Sequence, residues 1–440
     1  MEQHAHPHRA DMLSVEEALG KVLALVERLP AEETPLLEAD GQTLAEEVRA
    51  PFDVPGLANS AMDGYAVQAA VLGGASAGTP VTLRVTGQVQ AGQFARTPVT
   101  ANTTVRIMTG APLPEGADTV VPYELTDEAR RLAAGQGLSE VALYQRPQRG
   151  ENVRPAGEDV RRGSVVLKQG HVLDPPAIGM LASLGYARAC VIRRPQVAIL
   201  ATGDEVQSPG EALEPGMLFD INSYTVASAV RRYGGVPHLL GTAKDEVAEL
   251  RDKLRQGLRA DMLITSAGVS AGAFDMVKDA LVELGSISFW AVRMRPSRPL
   301  AFGALNAPDG RRVPHLGLPG NPVSALVALV EFGRPALAKM MGKAPTPLPT
   351  VEAVLEAPIS NADGRRVFAR VTLEGREGVL YARPTGAQGS NVLTSMVMAQ
   401  GLAICPEDLA GLAAGQRVSV QLLDWLDLST LLPFILHSTR

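Results

Sequence analysis

The feature that most constrains the fold is a series of short apolar segments, starting at Gln196, that alternates with polar loops and helices. The segments "QVAIL", "VPHLL" and "DMLIT" have the length of strands, and amphipathic stretches such as "DEVAELRDKLRQGL" separate them. Buried strands that alternate with helices predict a parallel, doubly wound α/β sheet. Ligands of such sheets bind beyond the carboxyl ends of the strands, so we expect a functional site at the loops that follow them.

The rest of the chain predicts three further domains. The segment "SVEEALGKVLALVERL" predicts an amphipathic helix from Ser14 to Leu29, in which Ser14 and Glu17 have capping-box spacing. Thr-, Val- and Gly-rich runs predict a small inserted β-domain, and "KAPTPLPT" predicts a linker before a small β-barrel. The predicted domains are a mixed α/β N-terminal domain (11–53 plus 146–192), the inserted β-domain (54–145), the α/β domain (193–343) and the C-terminal β-barrel (349–428).

Composition narrows the class of protein. Hydrophobic residues make up 46% and charged residues 20% of the chain, which predicts a globular protein. The two cysteines, Cys190 and Cys405, predict no disulfide framework, and the polar start "MEQHAHPHRADM" is no signal peptide, so we expect a cytoplasmic protein. A net charge of −6 and 4% aromatic residues argue against nucleic acid as a partner. No apolar run is long enough to span a bilayer, so we expect a small-molecule partner and no membrane.

Three histidines near the start of the chain, His4, His6 and His8, could bind a metal loosely. Nothing nearby in the sequence would hold them in place, so a frayed tail is the better interpretation.

The loops at the expected ligand edge carry charged groups. Glu205, Asp245 and Asp275 follow three successive predicted strands, and "RMRPSRP" brings Arg295 and Arg298. One carboxylate alone is better explained as a helix cap or a surface charge, but polar groups at every loop favour a ligand. Carboxylates of this kind would hold Mg²⁺ against phosphate oxygens.

The segment "LPGNPVSA" predicts a helix start with Asn321 as the cap, Pro322 in the first turn and Ser324 directed at free N–H groups. A helix N-terminus beside arginines predicts an anion site.

The segment "ANSAMDGYAV", from Ala58 to Val67, follows a turn and is unusually rich in polar side chains. From its chemistry alone, a polar turn before a strand is the better interpretation.

Several segments in order resemble the MoeA family of molybdopterin molybdenumtransferases, which is related to the E domain of gephyrin. They are "NSAMDGYAV", "VRIMTGAPLPEGADTVV", "GED", "ATGDEV", "TSAGVSAGAFD" and "HLGLPGNPVSA", and the likeness covers Met12 to Leu426. The resemblance implies that adenylylated molybdopterin binds with molybdate and Mg²⁺, that the adenylate is cleaved, and that molybdenum enters the dithiolene. It also implies a homodimer, in which the "NSAMDGYA" loop reaches over the cleft of the partner, and the molybdopterin adenylyltransferase as a further partner.

The loops and the resemblance together imply a set of site residues. The catalytic candidates are Asp63, Thr109, Asp159, Glu205, Asp245 and Asp275, of which Glu205, Asp245 and Asp275 are the metal ligands. The candidates for binding substrate or oxyanion are Ser60, Ser266, Gly268, Ser270, Arg295, Arg298, Asn321, Ser324, Arg370 and Ser390.

The chain departs from the family pattern at several positions. Ala58 stands where the family has Asp, Ala291 where it has Lys, and Ala267 where it has Gly, while "RPSRP" replaces "KPGKP". Two interpretations therefore stay open: a working transferase with a rearranged site, and a paralogue that binds the pterin or an oxyanion without turnover, as a carrier or scaffold. A third, the adenylylating activity itself, is disfavoured by the three extra domains.

Overall fold

The computed structural model describes residues 12–243, 247–266 and 275–425 of the chain. The chain divides into two compact units. Unit 1 comprises Met1–Glu32, Gly41–Thr43 and Val191–Arg440, and unit 2 comprises Glu33–Asp40 and Leu44–Cys190. The bounds of the four domains remain predictions.

A six-stranded sheet forms the centre of unit 1. Its strands lie in the order Val236–Ala243, Gln196–Thr202, Met262–Ser266, Arg312–Leu318, Pro299–Asn306 and Gly285–Ala291. The first four are parallel, as predicted. The prediction is wrong for Pro299–Asn306, which runs antiparallel to both neighbours. Residues 307–311 alone join it to the next strand, whereas a parallel crossover needs about a dozen residues.

Helices cover both faces of this sheet. Their bounds are Asn222–Arg232, Val247–Gly257, Asp275–Leu284, Pro322–Ala328 and Arg334–Met340, with a π-helical turn at Leu329–Gly333 between the last two. The neighbouring residues Ile199 and Leu200 are both fully buried, but in different apolar cores. Because successive side chains of a strand point to opposite faces, the sheet is buried on both sides, as a doubly wound sheet requires.

The first helix of the described residues spans Val15–Leu25 and shows the predicted capping box. The Ser14 hydroxyl accepts a hydrogen bond from the Glu17 N–H at 3.1 Å, and the Glu17 carboxylate accepts one from the Ser14 N–H at 2.8 Å. The helix ends before the predicted Leu29, because Val26 is extended and the Leu29 N–H donates to the carbonyl of Met340 at 2.8 Å. A tertiary contact therefore replaces the last predicted turn.

The C-terminal strands of unit 1 form a closed five-stranded β-barrel, which confirms the predicted barrel. In the order of pairing around the ring, the strands are Arg366–Arg376, Val379–Pro384, Thr350–Leu355, Arg417–Leu422 and Gly401–Cys405. The strand Gly401–Cys405 closes the ring by pairing with Arg366–Arg376 and was not predicted. Its five residues carry too short an alternation to stand out in the sequence.

Unit 2 contains the predicted small β-domain. Its five-stranded sheet has the order Thr119–Pro122, Gly64–Val67, Thr103–Ile107, Val81–Val89 and Glu140–Leu143. A Cβ atom at Gly64 would lie 2.1 Å from the Val121 carbonyl oxygen, so only glycine fits beside this strand. The helix Pro175–Ser183 is capped by Asp174, whose carboxylate accepts a hydrogen bond from the Ala177 N–H at 2.9 Å.

Shorter elements connect these sheets. The short strands are Ala31–Pro35, Val48–Arg49, Asn59–Ser60, Val153–Arg154, Val165–Leu167, Arg188–Ile192, Val206–Gln207, Leu218–Phe219, Met294–Arg295, Ile359–Ser360 and Gly411–Leu412, and the short helices are Ala69–Leu72, Tyr123–Leu125, Glu128–Ala133 and Leu393–Val397. Among the helices in residues 12–243, 247–266 and 275–425, none is long and apolar enough to cross a membrane.

Candidate active site

The expected ligand edge exists in unit 1, at the carboxyl ends of adjacent parallel strands. Ser266 pairs in register with Ala201 on one side and with Leu318 on the other. The Thr202 hydroxyl donates a hydrogen bond to the Ser266 carbonyl at 3.2 Å, and Ser266 itself is buried. The loops that follow these three strands therefore start side by side.

Glu205 lies exposed in the loop after the first of these strands. Gly203 has φ of +134°, and a Cβ atom there would lie 2.6 Å from the Glu205 Oε2 atom. Glycine thus permits both the backbone conformation and the close approach of the carboxylate. Glu205 presents a carboxylate at the ligand edge.

The helix that starts at Pro322 is capped differently from the prediction. Asn321 occupies the N-cap position, but its side chain makes no capping hydrogen bond. The N–H of Val323 instead donates to the Ser390 carbonyl at 3.1 Å, so a loop of the barrel domain caps the first turn and brings Ser390 beside it. Ser324, in the same turn, is buried.

Asn222 was missed by the sequence analysis. Its side-chain Nδ2 donates to the Gly320 carbonyl at 2.7 Å and holds the "LPGN" loop in place. The only sequence signal is an Asn at a helix start, which predicts a local cap rather than a contact with a distant loop.

Arg370 has the most unusual environment among the predicted site residues. Its side chain is buried, with 2% of the residue exposed. Its Nε donates to the Ser395 hydroxyl at 3.1 Å and its Nη2 to the Gly389 carbonyl at 3.0 Å. Burial lowers the pKa of Arg370 to about 10, so the guanidinium stays protonated near pH 7. No ion pair joins it to a carboxylate within the described ranges of the chain, so its charge is compensated only by neutral oxygens.

Arg295 lines the same cavity of about 600 Å³ as Arg370, but its contacts are different. Arg295 pairs in register with Val367, whose side chain is in the barrel core. Paired residues share a face of the sheet, and Arg370, three residues after Val367, has its side chain on the opposite face. The Arg295 guanidinium donates to the Ser360 carbonyl and lies 3.7 Å from the Asp363 carboxylate. The two arginines therefore differ in direction and in charge compensation.

The remaining residues of "RPSRP" form a tight turn. The Arg298 carbonyl accepts a hydrogen bond from the Val292 N–H at 2.7 Å. Ser297 has φ of +78°, and its hydroxyl is buried without a hydrogen-bond partner in the described structure. This backbone conformation favours the glycine that the family pattern has here.

In unit 2, the structure brings Asp63 and Thr109 together. The Asp63 carboxylate accepts hydrogen bonds from the Thr109 N–H and hydroxyl, both at 2.7 Å, and these bonds hold the pKa of Asp63 below its usual value. Ser60 is buried and its hydroxyl donates to the Met62 carbonyl at 2.5 Å, while Asp159 is exposed. Asp63 and Thr109 thus form one polar pair, whereas the Ser60 hydroxyl is used in a hydrogen bond within its own turn.

Tyr65, in the same motif, is a buried anchor. Its hydroxyl donates to the Glu128 carboxylate at 2.5 Å, and burial raises the pKa of Tyr65 above its usual range. Arg106 donates to both Glu128 oxygens, at 2.6 and 3.1 Å. Burial opposes ionisation of Glu128, but the hydrogen bonds from Arg106 and Tyr65 outweigh it and hold the pKa of Glu128 below its usual value. The sequence analysis missed this network, because its members are far apart along the chain.

Several predicted residues lie outside the described structure. They are Asp245, Gly268, Ser270 and the side chain of Asp275, whose backbone begins the helix Asp275–Leu284. Among the residues that are described, no group of three or more His, Cys, Asp and Glu side chains could hold a metal. The metal ligands remain a prediction.

The domains of this chain match those of a known family. Residues 13–185 match the MoeA N-terminal region (domain I and II), residues 198–339 match the "Probable molybdopterin binding domain", and residues 352–423 match the MoeA C-terminal region (domain IV). The chain therefore belongs to the MoeA family, an enzyme family of molybdenum cofactor biosynthesis.

Individual relatives match this chain over nearly its whole length. Molybdopterin molybdenumtransferase 2 of Mycobacterium tuberculosis is 38% identical over 416 residues, which cover 93% of this chain and 99% of the relative. Molybdopterin molybdenumtransferase of Haemophilus influenzae is 33% identical over 93% of this chain and 98% of the relative. The crystal structure of the molybdopterin biosynthesis MoeA protein of Pyrococcus horikosii superposes with a TM-score of 0.78 and 29% identity, over 93% of this chain and 99% of that one.

Proposed function

We propose that this protein is a molybdopterin molybdenumtransferase, which inserts molybdenum from molybdate into adenylylated molybdopterin with Mg²⁺-dependent release of AMP. The observation that carries the proposal is the buried Arg370 guanidinium, which no described carboxylate compensates. A permanently charged group in such a place calls for an anion, and molybdate is a tetrahedral dianion. The names of relatives that match nearly the full length support the same reaction.

Arg370 and the helix start at Pro322 would bind the oxyanion. Ser390 lies at both, because its carbonyl accepts from the Val323 N–H and its neighbour Gly389 accepts from Arg370. The buried Ser324 belongs to the same helical turn, and Arg298 adds a cation to the site in this proposal. Charge-assisted hydrogen bonds contribute roughly 1.5–3 kcal/mol each, so two or three of them suffice for selective binding.

The carboxylates would act at the adenylate part of the substrate. Glu205 is an exposed carboxylate at the ligand edge, the donor type that Mg²⁺ prefers, and Asp245 and Asp275 complete the ligand set in this proposal. Bound Mg²⁺ would offset the negative charge of the phosphate oxygens. In unit 2, two short hydrogen bonds from Thr109 fix the Asp63 carboxylate in position. This pair, together with Asp159, would orient substrate or water.

The proposal includes a cytoplasmic homodimer, in which the loop carrying Ser60 and Asp63 reaches the cleft of the partner. Met62 and Leu57 near this loop are 40% and 52% exposed, which suits a loop that another subunit covers. The molybdopterin adenylyltransferase would supply the substrate. Light scattering that reports only monomer at micromolar concentration would contradict the dimer.

The decisive experiment measures AMP release from adenylylated molybdopterin with molybdate and Mg²⁺. We expect turnover that stops on chelation of Mg²⁺ and falls in Asp63→Asn, because the Thr109 contact then loses its charge. The alternative function, a carrier or scaffold that binds the pterin or an oxyanion, is favoured by Ala58 and Ala291, whose positions lack the expected charged side chains. Tight binding without AMP release would establish that alternative.

A further inference from the structure

The hydroxyl of Ser395 is the one side-chain group that orients the Arg370 guanidinium in the described structure. It accepts a hydrogen bond from the Arg370 Nε at 3.1 Å and donates one to the Val392 carbonyl at 2.6 Å. Ser395 is only 1% exposed. The single hydroxyl hydrogen is therefore used, and Ser395, unlike Arg370, does not line the cavity of about 600 Å³.

The second contact of the guanidinium comes from the backbone of the same loop. The Gly389 carbonyl accepts from Nη2 at 3.0 Å, and the next residue, Ser390, caps the N–H of Val323 at 3.1 Å. The Gln388 side chain ties this loop to the Arg370 backbone, since its Oε1 accepts from the Arg370 N–H at 2.8 Å and its Nε2 donates to the Arg370 carbonyl at 3.1 Å. The direction of the Arg370 guanidinium is thus coupled to the start of the helix at Pro322.

The pattern of hydrogen bonds leaves one side of the guanidinium open. Nε and Nη2 have partners, whereas the described structure contains no hydrogen bond from Nη1. Without Ser395, the Nε donor would be buried and unpaired, and the guanidinium could rotate to find another acceptor. A planar, forked donor binds an oxyanion well only in the correct orientation.

We propose that Ser395 is a positioning residue, which sets the affinity of the Arg370 site for a tetrahedral oxyanion without touching the oxyanion itself. The inference deepens the proposed function and rests on it for the identity of the ligand. The motifs in the sequence do not assign this role to Ser395.

The test is calorimetric titration of the full-length protein with molybdate and tungstate. We expect Ser395→Ala to weaken binding about tenfold, the equivalent of one hydrogen bond to a charged group. Ser395→Cys keeps the side-chain volume but is a weak acceptor, so its affinity should also fall. This second variant guards against a folding defect in Ser395→Ala.

Thr385→Val is the matched control. The Thr385 hydroxyl lies in the same network, where its one hydrogen is within reach of the carbonyls of Ser395 at 3.0 Å and Arg370 at 3.3 Å, but it does not touch the guanidinium. We expect its oxyanion affinity to stay within about twofold of the wild type. An equal loss in Thr385→Val and Ser395→Ala would mean that loop stability, and not orientation of the guanidinium, sets the affinity.

A double-mutant cycle separates positioning from a general structural effect. If Ser395 acts through Arg370, Ser395→Ala should cause no further loss of affinity in an Arg370→Ala background. Additive losses would overturn the inference, as would unchanged affinity in Ser395→Ala or a wild type that binds no oxyanion. Tight, Ser395-dependent binding without AMP release would instead leave this inference intact and remove the proposed enzyme activity.

Discussion

Two guanidinium groups, one partly buried in unit 2 and one buried in unit 1, differ in how their charge is compensated. Arg106 in unit 2 donates to both oxygens of Glu128, whose second partner is the Tyr65 hydroxyl. Arg370 in unit 1 has only a hydroxyl and a carbonyl as partners. The first network is complete within the chain, whereas the second leaves a net charge. The proposed oxyanion site rests on this difference in compensation.

Glu331 in unit 1 shows why this argument applies to arginine in particular. Its Oε1 is buried without a hydrogen-bond partner in the described structure, on the π-helical turn Leu329–Gly333. Burial raises the pKa of Glu331 to about 7, although Gln421, Arg334 and Arg366 oppose this shift. A carboxylate can thus become neutral by taking up a proton near physiological pH. A guanidinium cannot lose its charge there, so it needs an anion.

The largest effect on the free energy of unfolding is expected when the Arg106–Glu128 ion pair of unit 2 is broken. Arg106→Met leaves Glu128 buried with only Tyr65 as a partner, and breaking such a pair costs about 3–5 kcal/mol. Urea denaturation followed by a probe in unit 2 measures the loss. The double variant Arg106→Met with Glu128→Leu should recover most of it, because no buried charge is left. A loss below about 1 kcal/mol in Arg106→Met would show that the network is not a stabilising element.

Replacement of Arg370 in unit 1 is expected to have little effect on the free energy of unfolding. Arg370→Met should leave the free energy of unfolding without ligand nearly unchanged, because it removes a buried charge that lacks a carboxylate partner. Molybdate at a hundred times its Kd should stabilise the wild type by about 2.7 kcal/mol and Arg370→Met not at all. Thermal unfolding with and without molybdate measures both values. Equal stabilisation of the two proteins would place the oxyanion away from Arg370.

Glu331→Gln tests the protonation argument. The folded-state pKa of about 7 lies above the ordinary value of 4.5, so the folded protein binds more protons between these values. The free energy of unfolding of the wild type should therefore fall as pH rises from 4.5 to 7, by up to about 3 kcal/mol, and level off above 7. Denaturation at pH 5 and pH 8 should show a smaller fall in Glu331→Gln. Parallel pH profiles would contradict the raised pKa.

The smallest effect concerns strain beside the arginines of unit 1. Ser297→Gly relieves the positive φ of +78° and removes a buried hydroxyl without a partner, so it should stabilise the protein by about 1 kcal/mol. Ser183→Gly, at the end of the helix Pro175–Ser183, is the control and should destabilise by about 0.5–1 kcal/mol. Calorimetric melting compares the two. If Ser297→Gly is less stable than the wild type, the hydroxyl has a partner that stabilises this turn.

Local patterns in the sequence were sufficient for much of the fold. The Ser14–Glu17 capping box, the buried strands of the α/β sheet and most of the barrel strands after the linker depend on residues within a few positions of each other. The ordered motifs were sufficient for the family. The direction of the strand Pro299–Asn306 was predicted wrongly, because apolar runs do not reveal strand direction, which here follows from a short connection.

The compensation of charge was decided only by the tertiary structure. Arg295 and Arg370 are equivalent in the sequence as candidate anion ligands, yet Arg295 lies near Asp363, while the buried Arg370 contacts Ser395. The capping of the helix at Pro322 by Ser390, in place of Asn321, also joins residues far apart in the chain. Sequence determines which groups are charged and which backbone conformations are low in energy. Whether a charge is neutralised depends on which distant groups the fold brings within hydrogen-bonding distance, and that arrangement exists only in the folded chain.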